Sequence, residues 1–106
     1  MTDFDDRKNA FETKFARDEE LKFKVEARRT KLMGSWAAGV MGLGPEEAKE
    51  YAQNLVLVDL QEAGTGDVIR KLTADFSAKG IDAASYKLDD KLAEFLEVAK
   101  EQLMEG

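Results

Sequence analysis

Three cations spaced four and three residues apart, Lys24, Arg28 and Lys31, form the arrangement in this sequence that is best suited to chemistry. On an α-helix they would project to one side, one turn apart, and could face a polyphosphate or a row of carboxylates together. They belong to a basic island, residues 21–35, in which the bases are Lys22, Lys24, Arg28, Arg29 and Lys31 and the one acid is Glu26. The formal net charge of the whole chain is −6, so this cluster stands out on an acidic protein.

The basic island has three interpretations. In the first, it is a solvated helix face whose positive charge is offset by acidic neighbours, through the i, i+4 pairs Glu20–Lys24 and Asp18–Lys22. In the second, it binds an acidic partner, and in the third, it is a phosphate site. A charge run is most often a solvated face. Phe23 complicates that view, because it lies among the charges and either covers a second groove or is an exposed contact.

Trp36 could stack an adenine base next to such a phosphate site. The stronger interpretation is a core anchor, because Trp36 falls on the apolar stripe of the helix that carries the cations.

Catalytic residues are not expected. The sequence has no histidine and no cysteine, which removes the usual general base, the thiolate nucleophile and the commonest transition-metal ligands. The adjacent acids Glu46-Glu47 and Asp89-Asp90 would point apart on a helix and indicate solvated surface. The segment 39–44 has three glycines but neither the spacing nor the lysine of a phosphate loop. We therefore predict neither enzyme activity nor a metal site, and the acidic balance argues against nucleic acid and against an anionic membrane.

The elements that must position these residues are helices. Val and Ile are scarce beside Ala, Leu, Glu and Lys, no sustained alternation of apolar and polar residues occurs, and there is one proline. We predict four helices, and the segments are about 18–42, about 45–63, a third from a Thr65 cap to Gly80, and a fourth capped by Asp82 or Ser85. Short connections between them predict a four-helix bundle over residues 18–106.

Two glycines interrupt the first of these helices. Its predicted apolar stripe consists of Leu21, Val25, Arg28, Leu32, Trp36 and Gly39. Gly34 and Gly39 each cost about 1 kcal/mol relative to Ala inside a helix. We expect that cost to be offset by close approach of a neighbouring helix.

The first 17 residues form a polar segment whose aromatic residues are Phe4, Phe11 and Phe15. On a helix these three side chains share one narrow face. They bury too little apolar area to hold a core, which favours a mobile, partly helical segment that docks in the groove of a partner.

Four stretches together resemble the zeta subunit family, the bacterial inhibitor of the F-type ATP synthase. They are Phe4-Asp5-Asp6-Arg7, Phe15-Ala16-Arg17-Asp18-Glu19-Glu20, Glu26-Ala27-Arg28-Arg29 and Gly34-Ser35-Trp36-Ala37-Ala38. The similarity extends more loosely through the rest of the chain.

The resemblance implies a bundle of four helices preceded by a mobile N-terminal segment. In members that inhibit, this segment becomes helical when it docks at a catalytic interface of the soluble F1 head, and it stops ATP hydrolysis. We therefore expect Phe4, Arg7, Phe11 and Phe15 to bind the F1 head. The resemblance also implies weak binding of ATP or ADP, for which we name Lys24, Arg28, Lys31 and Trp36, and no required cofactor.

The alternative function is a nucleotide-binding helical sensor or adaptor without strong inhibitory activity. With no cysteine and no apolar run of about 18 residues, we expect a cytoplasmic monomer that reaches the membrane only through ATP synthase.

Overall fold

The computed structural model is built from helices joined by short connections. It describes the backbone of residues 3–61 and 64–105 and the side chains of residues 6–61 and 64–105. The helices are α1 (Asp3–Arg17), α2 (Glu19–Val40), α3 (Pro45–Gln61), α4 (Gly66–Ala78) and α5 (Leu88–Glu105), with a short 3-10 turn, Ala83–Tyr86, before α5. No β-strand occurs among the described residues, and the predicted all-α class is confirmed. Helices α2 to α5 are the four helices of the predicted bundle.

Asp18 separates α1 from α2. Its backbone is extended, and its carboxylate accepts a hydrogen bond from the backbone N–H of Leu21 at 3.1 Å. This N-cap satisfies one of the donors that a helix start leaves open. The predicted start of the first bundle helix is therefore confirmed. Pro45 begins α3 as expected, whereas the predicted end of that helix at Ala63 lies outside the described residues.

The approach to α5 differs from the prediction. The Asp82 carboxylate accepts from the N–H of Ala84 at 3.1 Å and so caps the 3-10 turn, not the helix. Lys87 then adopts a φ of 50°, in the left-handed region, and α5 begins at Leu88. The prediction that Asp82 or Ser85 caps the last helix is wrong, because a separate turn with its own cap stands between them.

Helix α2 is the centre of the packing and contacts both α3 and α5. The residues of α2 that are buried are Val25, Arg29, Thr30, Met33, Gly34, Ala37 and Ala38. Arg28 and Gly39, which the sequence placed on the apolar stripe, are exposed. The stripe prediction is wrong at these two positions because α2 packs against two neighbouring helices, α3 and α5. Its buried face therefore includes Arg29 and Met33.

The other helices present mostly the expected faces. In α5 Leu88, Leu92 and Ala99 are buried, at the spacing of an amphipathic helix that packs on one side. In α4 the buried residues are Val68, Leu72 and Phe76, which lie four residues apart on one face. In α3, by contrast, Leu60 is 51% exposed. It lies in the last turn of the helix, next to the connection to α4.

Gly34 sets the distance between α2 and α3. A Cβ at this position would lie 2.7 Å from the Cα of Ala52 in α3, closer than non-bonded carbon atoms approach. A Cβ at Gly39 would meet no atom of the described residues within 4 Å. The close approach predicted for both glycines is therefore found at Gly34 alone.

Helices α3 and α4 are tied by a polar contact around Asp75. The Tyr51 hydroxyl donates to the Asp75 carboxylate at 2.6 Å, and the Lys71 amine donates to the same oxygen at 3.0 Å. Burial raises the pKa of the Tyr51 phenol far above its usual value, and the hydrogen bond and negative charge of Asp75 raise it further. The Tyr51 hydroxyl therefore stays protonated and remains a hydrogen-bond donor at neutral pH.

Candidate functional site

The predicted partner-binding residues all lie on α1. Phe4 belongs to this helix, but its side chain lies outside the described residues. Arg7 is exposed, whereas Phe11 and Phe15 are half-buried. The structure thus shows a continuous helix over residues 3–17 of the segment that the sequence predicted to be partly helical. The mobility of residues 1–17 stays a prediction.

A single lysine of α5, Lys100, organises the contact with α1. Its amine lies 3.4 Å from a carboxylate oxygen of Glu12 and 3.3 Å from one of Glu97. It also lies 4.5 Å from the centre of the Phe15 ring, within the range of a cation–π interaction. Phe11 lines a small recess beside this lysine with Met104. Sequence reasoning missed Lys100, because a single lysine on an amphipathic helix carries no signal of its own.

The three predicted cations line one groove. This cationic groove, of about 370 Å³, is lined by Phe23, Lys24, Ala27, Arg28, Lys31, Val56 and Leu103. Its floor is apolar and comes from α2, α3 and α5. The structure therefore brings Lys24, Arg28 and Lys31 together, as the helical spacing predicted.

The ion pairs formed by the cations on this face of α2 are weak. Lys24 forms the predicted pair with Glu20 at 3.3 Å, but both side chains are exposed, and such pairs contribute little. Lys22 pairs with Glu19 at 3.9 Å. The predicted pair with Asp18 is not formed, because the Asp18 carboxylate caps α2. Arg28 donates to the neutral Gln102 at 3.1 Å.

Trp36 lies away from the cationic groove. Its ring packs against Phe76, Tyr86 and Phe95, with centroid separations of 6.2, 5.7 and 6.4 Å. The Lys91 amine lies 5.2 Å from its centroid. Trp36 is half-buried beside the hydrophobic core, which agrees with its interpretation as a core anchor. The structure does not join it to the three cations.

A buried polar cluster lies on the other side of Phe23. The Arg29 guanidinium lies 3.3 Å from a carboxylate oxygen of Asp59, which also accepts from the Thr30 hydroxyl at 3.0 Å. The Arg29 and Asp59 side chains are each only 10% exposed. Arg29 therefore does not belong to the exposed cations of the basic island.

The Arg29 cleft, of about 370 Å³, opens above this cluster between α2 and the connection from α3 to α4. It is lined by Phe23, Glu26, Ala27, Arg29, Asp59, Leu60, Gln61, Gly64 and Thr65. The Nε of Arg29 is buried and donates to no acceptor among the described residues. Thr65 precedes α4 as predicted, but its hydroxyl makes no capping bond. Asp59 carried no sequence signal, because an acid near the end of a helix is usually solvated.

No part of the described chain assembles a metal site, since no three His, Cys, Asp or Glu side chains there are grouped to hold an ion. No described helix is both long and apolar enough to cross a membrane. The described side chains form three recesses that could hold a partner: the small recess beside Phe11, the cationic groove and the Arg29 cleft.

Comparison with known proteins decides the family. The sequence model of the ATPase inhibitor subunit zeta family matches residues 1–102. The chain belongs to the zeta family. The matched residues include α1 as well as the bundle, so the family's sequence model covers the segment that carries Phe11 and Phe15.

A protein of known solution NMR structure supports the same fold. It is 42% identical to this chain, the alignment covers 80% of this chain and 96% of that one, and the TM-score is 0.69. No curated protein matches the chain significantly. Membership makes this zeta chain a regulatory inhibitor subunit associated with the F-type ATP synthase.

Proposed function

We propose that this zeta chain inhibits ATP hydrolysis by the F1 head of ATP synthase through α1, which docks at a catalytic interface while the bundle holds it in place. The observation that carries the proposal is the position of Phe11 and Phe15. They lie on one face of α1 and are only half-buried, so each keeps apolar surface that a partner can cover.

The chemistry of α1 fits a groove between protein subunits. Phe11 and Phe15 are one turn apart and can enter neighbouring apolar pockets, as amphipathic helices do when they bind in grooves. Arg7 is exposed one turn before Phe11 and is available for a carboxylate of the partner. Deeply inserted aromatic side chains commonly dominate the affinity of such interfaces.

The test is a titration of the purified cognate F1 head with the chain, during which ATP hydrolysis is measured. We expect wild type to inhibit, and Phe11→Ala/Phe15→Ala to weaken inhibition about 30-fold or more, since a hot-spot truncation costs at least about 2 kcal/mol. Thr13→Ala is the control, because Thr13 is exposed on the opposite side of α1. Equal inhibition by wild type and the double variant would contradict the role of these aromatics.

Thermal unfolding of the same variants belongs to this test. Phe15 contacts α5 through the Lys100 amine, but the hydrophobic core contains none of the α1 side chains that the structure describes, residues 6–17. We therefore expect a melting temperature close to that of wild type. A large fall would mean that α1 is an integral part of the bundle and not a tethered binding segment.

Binding of ATP or ADP without strong inhibition is the second candidate function. It is favoured by the position of Lys24, Arg28 and Lys31 on one groove, where cations could face phosphates. Affinity should be weak and should fall as salt rises, because exposed charges are screened. Trp36 would not stack the base in this arrangement, since it packs elsewhere. Amide shifts on titration with Mg-ATP that persist after deletion of residues 1–17 would favour this candidate.

In this role the chain is cytoplasmic and is a monomer when free. It reaches the membrane only through ATP synthase, and it requires no cofactor.

A further inference from the structure

The bundle carries an exposed aromatic side chain that has no part in the role proposed for α1. Phe23 in α2 is 54% exposed and lines both the cationic groove and the Arg29 cleft. Two leucines near the end of α3 are similarly open, with Leu57 at 57% and Leu60 at 51%. Leu60 lines the Arg29 cleft with Phe23. Large apolar side chains gathered beside recesses mark a contact surface more often than isolated ones do.

Positive charges lie along the α2 side of the surface around Phe23. Lys24, Arg28 and Lys31 flank Phe23 along α2. Glu20 offsets Lys24 only weakly at 3.3 Å because both side chains are exposed, and Lys31 has no ion pair among the residues that the structure describes. On a chain of net charge −6, such a local positive field favours an acidic partner.

The apolar part of the surface decides the kind of partner. A nucleotide would neutralise the cations, but it would leave Leu60 of α3, which lines the Arg29 cleft with Phe23, in water. A segment with an apolar stripe would cover Phe23 and Leu60 and fill the recesses on either side. Acidic residues beside that stripe would meet Lys24 and Lys31. The chemistry thus fits an amphipathic helix with acidic flanks.

We propose that Phe23, with Lys24, Arg28 and Lys31, forms a second docking surface that binds an acidic amphipathic helix of the F1 head and anchors the bundle to it. This inference rests on the proposed function, since it takes the F1 head as the partner. It assigns the two halves of the chain different tasks. The bundle surface supplies affinity, and α1 blocks the enzyme.

The test measures binding to purified cognate F1 separately from inhibition of its ATP hydrolysis. Full-length Phe23→Ala should bind about 30-fold more weakly, as expected for a central aromatic anchor. Its maximal inhibition at saturation should equal that of wild type. Because Phe23 is exposed, we expect the variant to fold normally, which circular dichroism and thermal unfolding check.

A matched pair of lysines tests the charge. Lys31 and Lys49 are both exposed on helices, and neither has an ion pair among the described side chains. Lys31→Glu should weaken binding, by a larger factor at 50 mM than at 200 mM KCl because salt screens the interaction. Lys49→Glu should bind like wild type at both salt concentrations.

The two proposals can fail separately. If wild type inhibits and Phe23→Ala binds with unchanged affinity, the docking surface is wrong and the inhibitory function stands. If binding depends on Phe23 but wild type does not inhibit, the docking surface stands and the inhibitory function is wrong.

Three other occupants would also overturn the inference. Saturation of the cationic groove with Mg-ATP, followed by amide shifts, without any loss of affinity for F1 would assign the groove to a nucleotide. Cosedimentation with phosphatidylglycerol vesicles that is lost in Phe23→Ala would assign it to a membrane surface. A dimer of wild type, seen by light scattering and lost in the same variant, would assign it to a second copy of the chain.

Discussion

Asp59 is the residue on which a buried guanidinium depends. Its carboxylate is the anionic partner of Arg29 at 3.3 Å, and both side chains are 10% exposed. Removing one partner of a buried ion pair leaves an uncompensated charge, at a cost of about 3–5 kcal/mol. We therefore expect Asp59→Ala to lower the free energy of unfolding by about that amount, measured by urea denaturation.

The control for this prediction is another acid on the same helix. Glu50 is exposed, so Glu50→Ala should change the free energy of unfolding by no more than about 0.5 kcal/mol. A loss below about 1 kcal/mol in Asp59→Ala would show that water enters the Arg29 cleft and solvates the guanidinium in place of the carboxylate.

Arg29 also shows where inference from sequence reached its limit. Its neighbours Arg28 and Lys31 behave as the helical spacing predicted, on one exposed side of α2. Arg29 lies four residues from both Val25 and Met33, on the buried stripe. That spacing was present in the sequence. What was absent was any sign that Asp59, thirty residues later, would provide the compensating charge.

At the scale of the helices, Gly34 and Gly39 form a natural pair for experiment. Gly34→Ala forces a methyl group against the Ala52 backbone, and overpacking of this kind costs about 1–3 kcal/mol. Gly39→Ala meets no atom within 4 Å, so better helix propensity should stabilise the protein by up to about 1 kcal/mol. Urea denaturation of both variants checks the prediction. The same sign of change in both would contradict it.

Helix existence and type followed from the sequence, but contacts between helices did not. Apolar spacing located α4 and α5, and Asp18 and Pro45 located the starts of α2 and α3. The separate turn before α5 was missed, because Asp82 is an equally good cap for a turn and for a helix. The distinction between Gly34 and Gly39 depends on where α3 crosses α2, which local sequence does not specify.

At the scale of the whole molecule, the candidate site was predicted in part. The aromatic face of α1 and the three cations followed from helical periodicity. The roles of Lys100 and of the exposed Phe23 depend on the arrangement of α1, α3 and α5 around α2. Tertiary packing creates these surfaces, and periodicity alone does not reveal them.

The N-cap at Asp18 also bears on whether α1 and α2 unfold together. The first turn of α2 is completed by this residue alone, through its carboxylate to the Leu21 N–H at 3.1 Å and its carbonyl to the Lys22 N–H at 3.0 Å. Unwinding of α1 therefore removes none of the hydrogen bonds that begin α2. We therefore expect the stretch from residue 1 to residue 33, which has no glycine or proline, to melt as two units and not as one.

Native-state hydrogen exchange would make this division visible. The amides of α1 should open with a small local free energy, because no described side chain of α1 belongs to the core cluster. The amide of Met33, which is fully buried, should exchange only through global unfolding, on the order of 100-fold or more slowly. Equal protection on both sides of Asp18 would mean that the helices melt together. Unequal protection would mean that the chain can refold its first 17 residues on another protein at almost no cost to the rest.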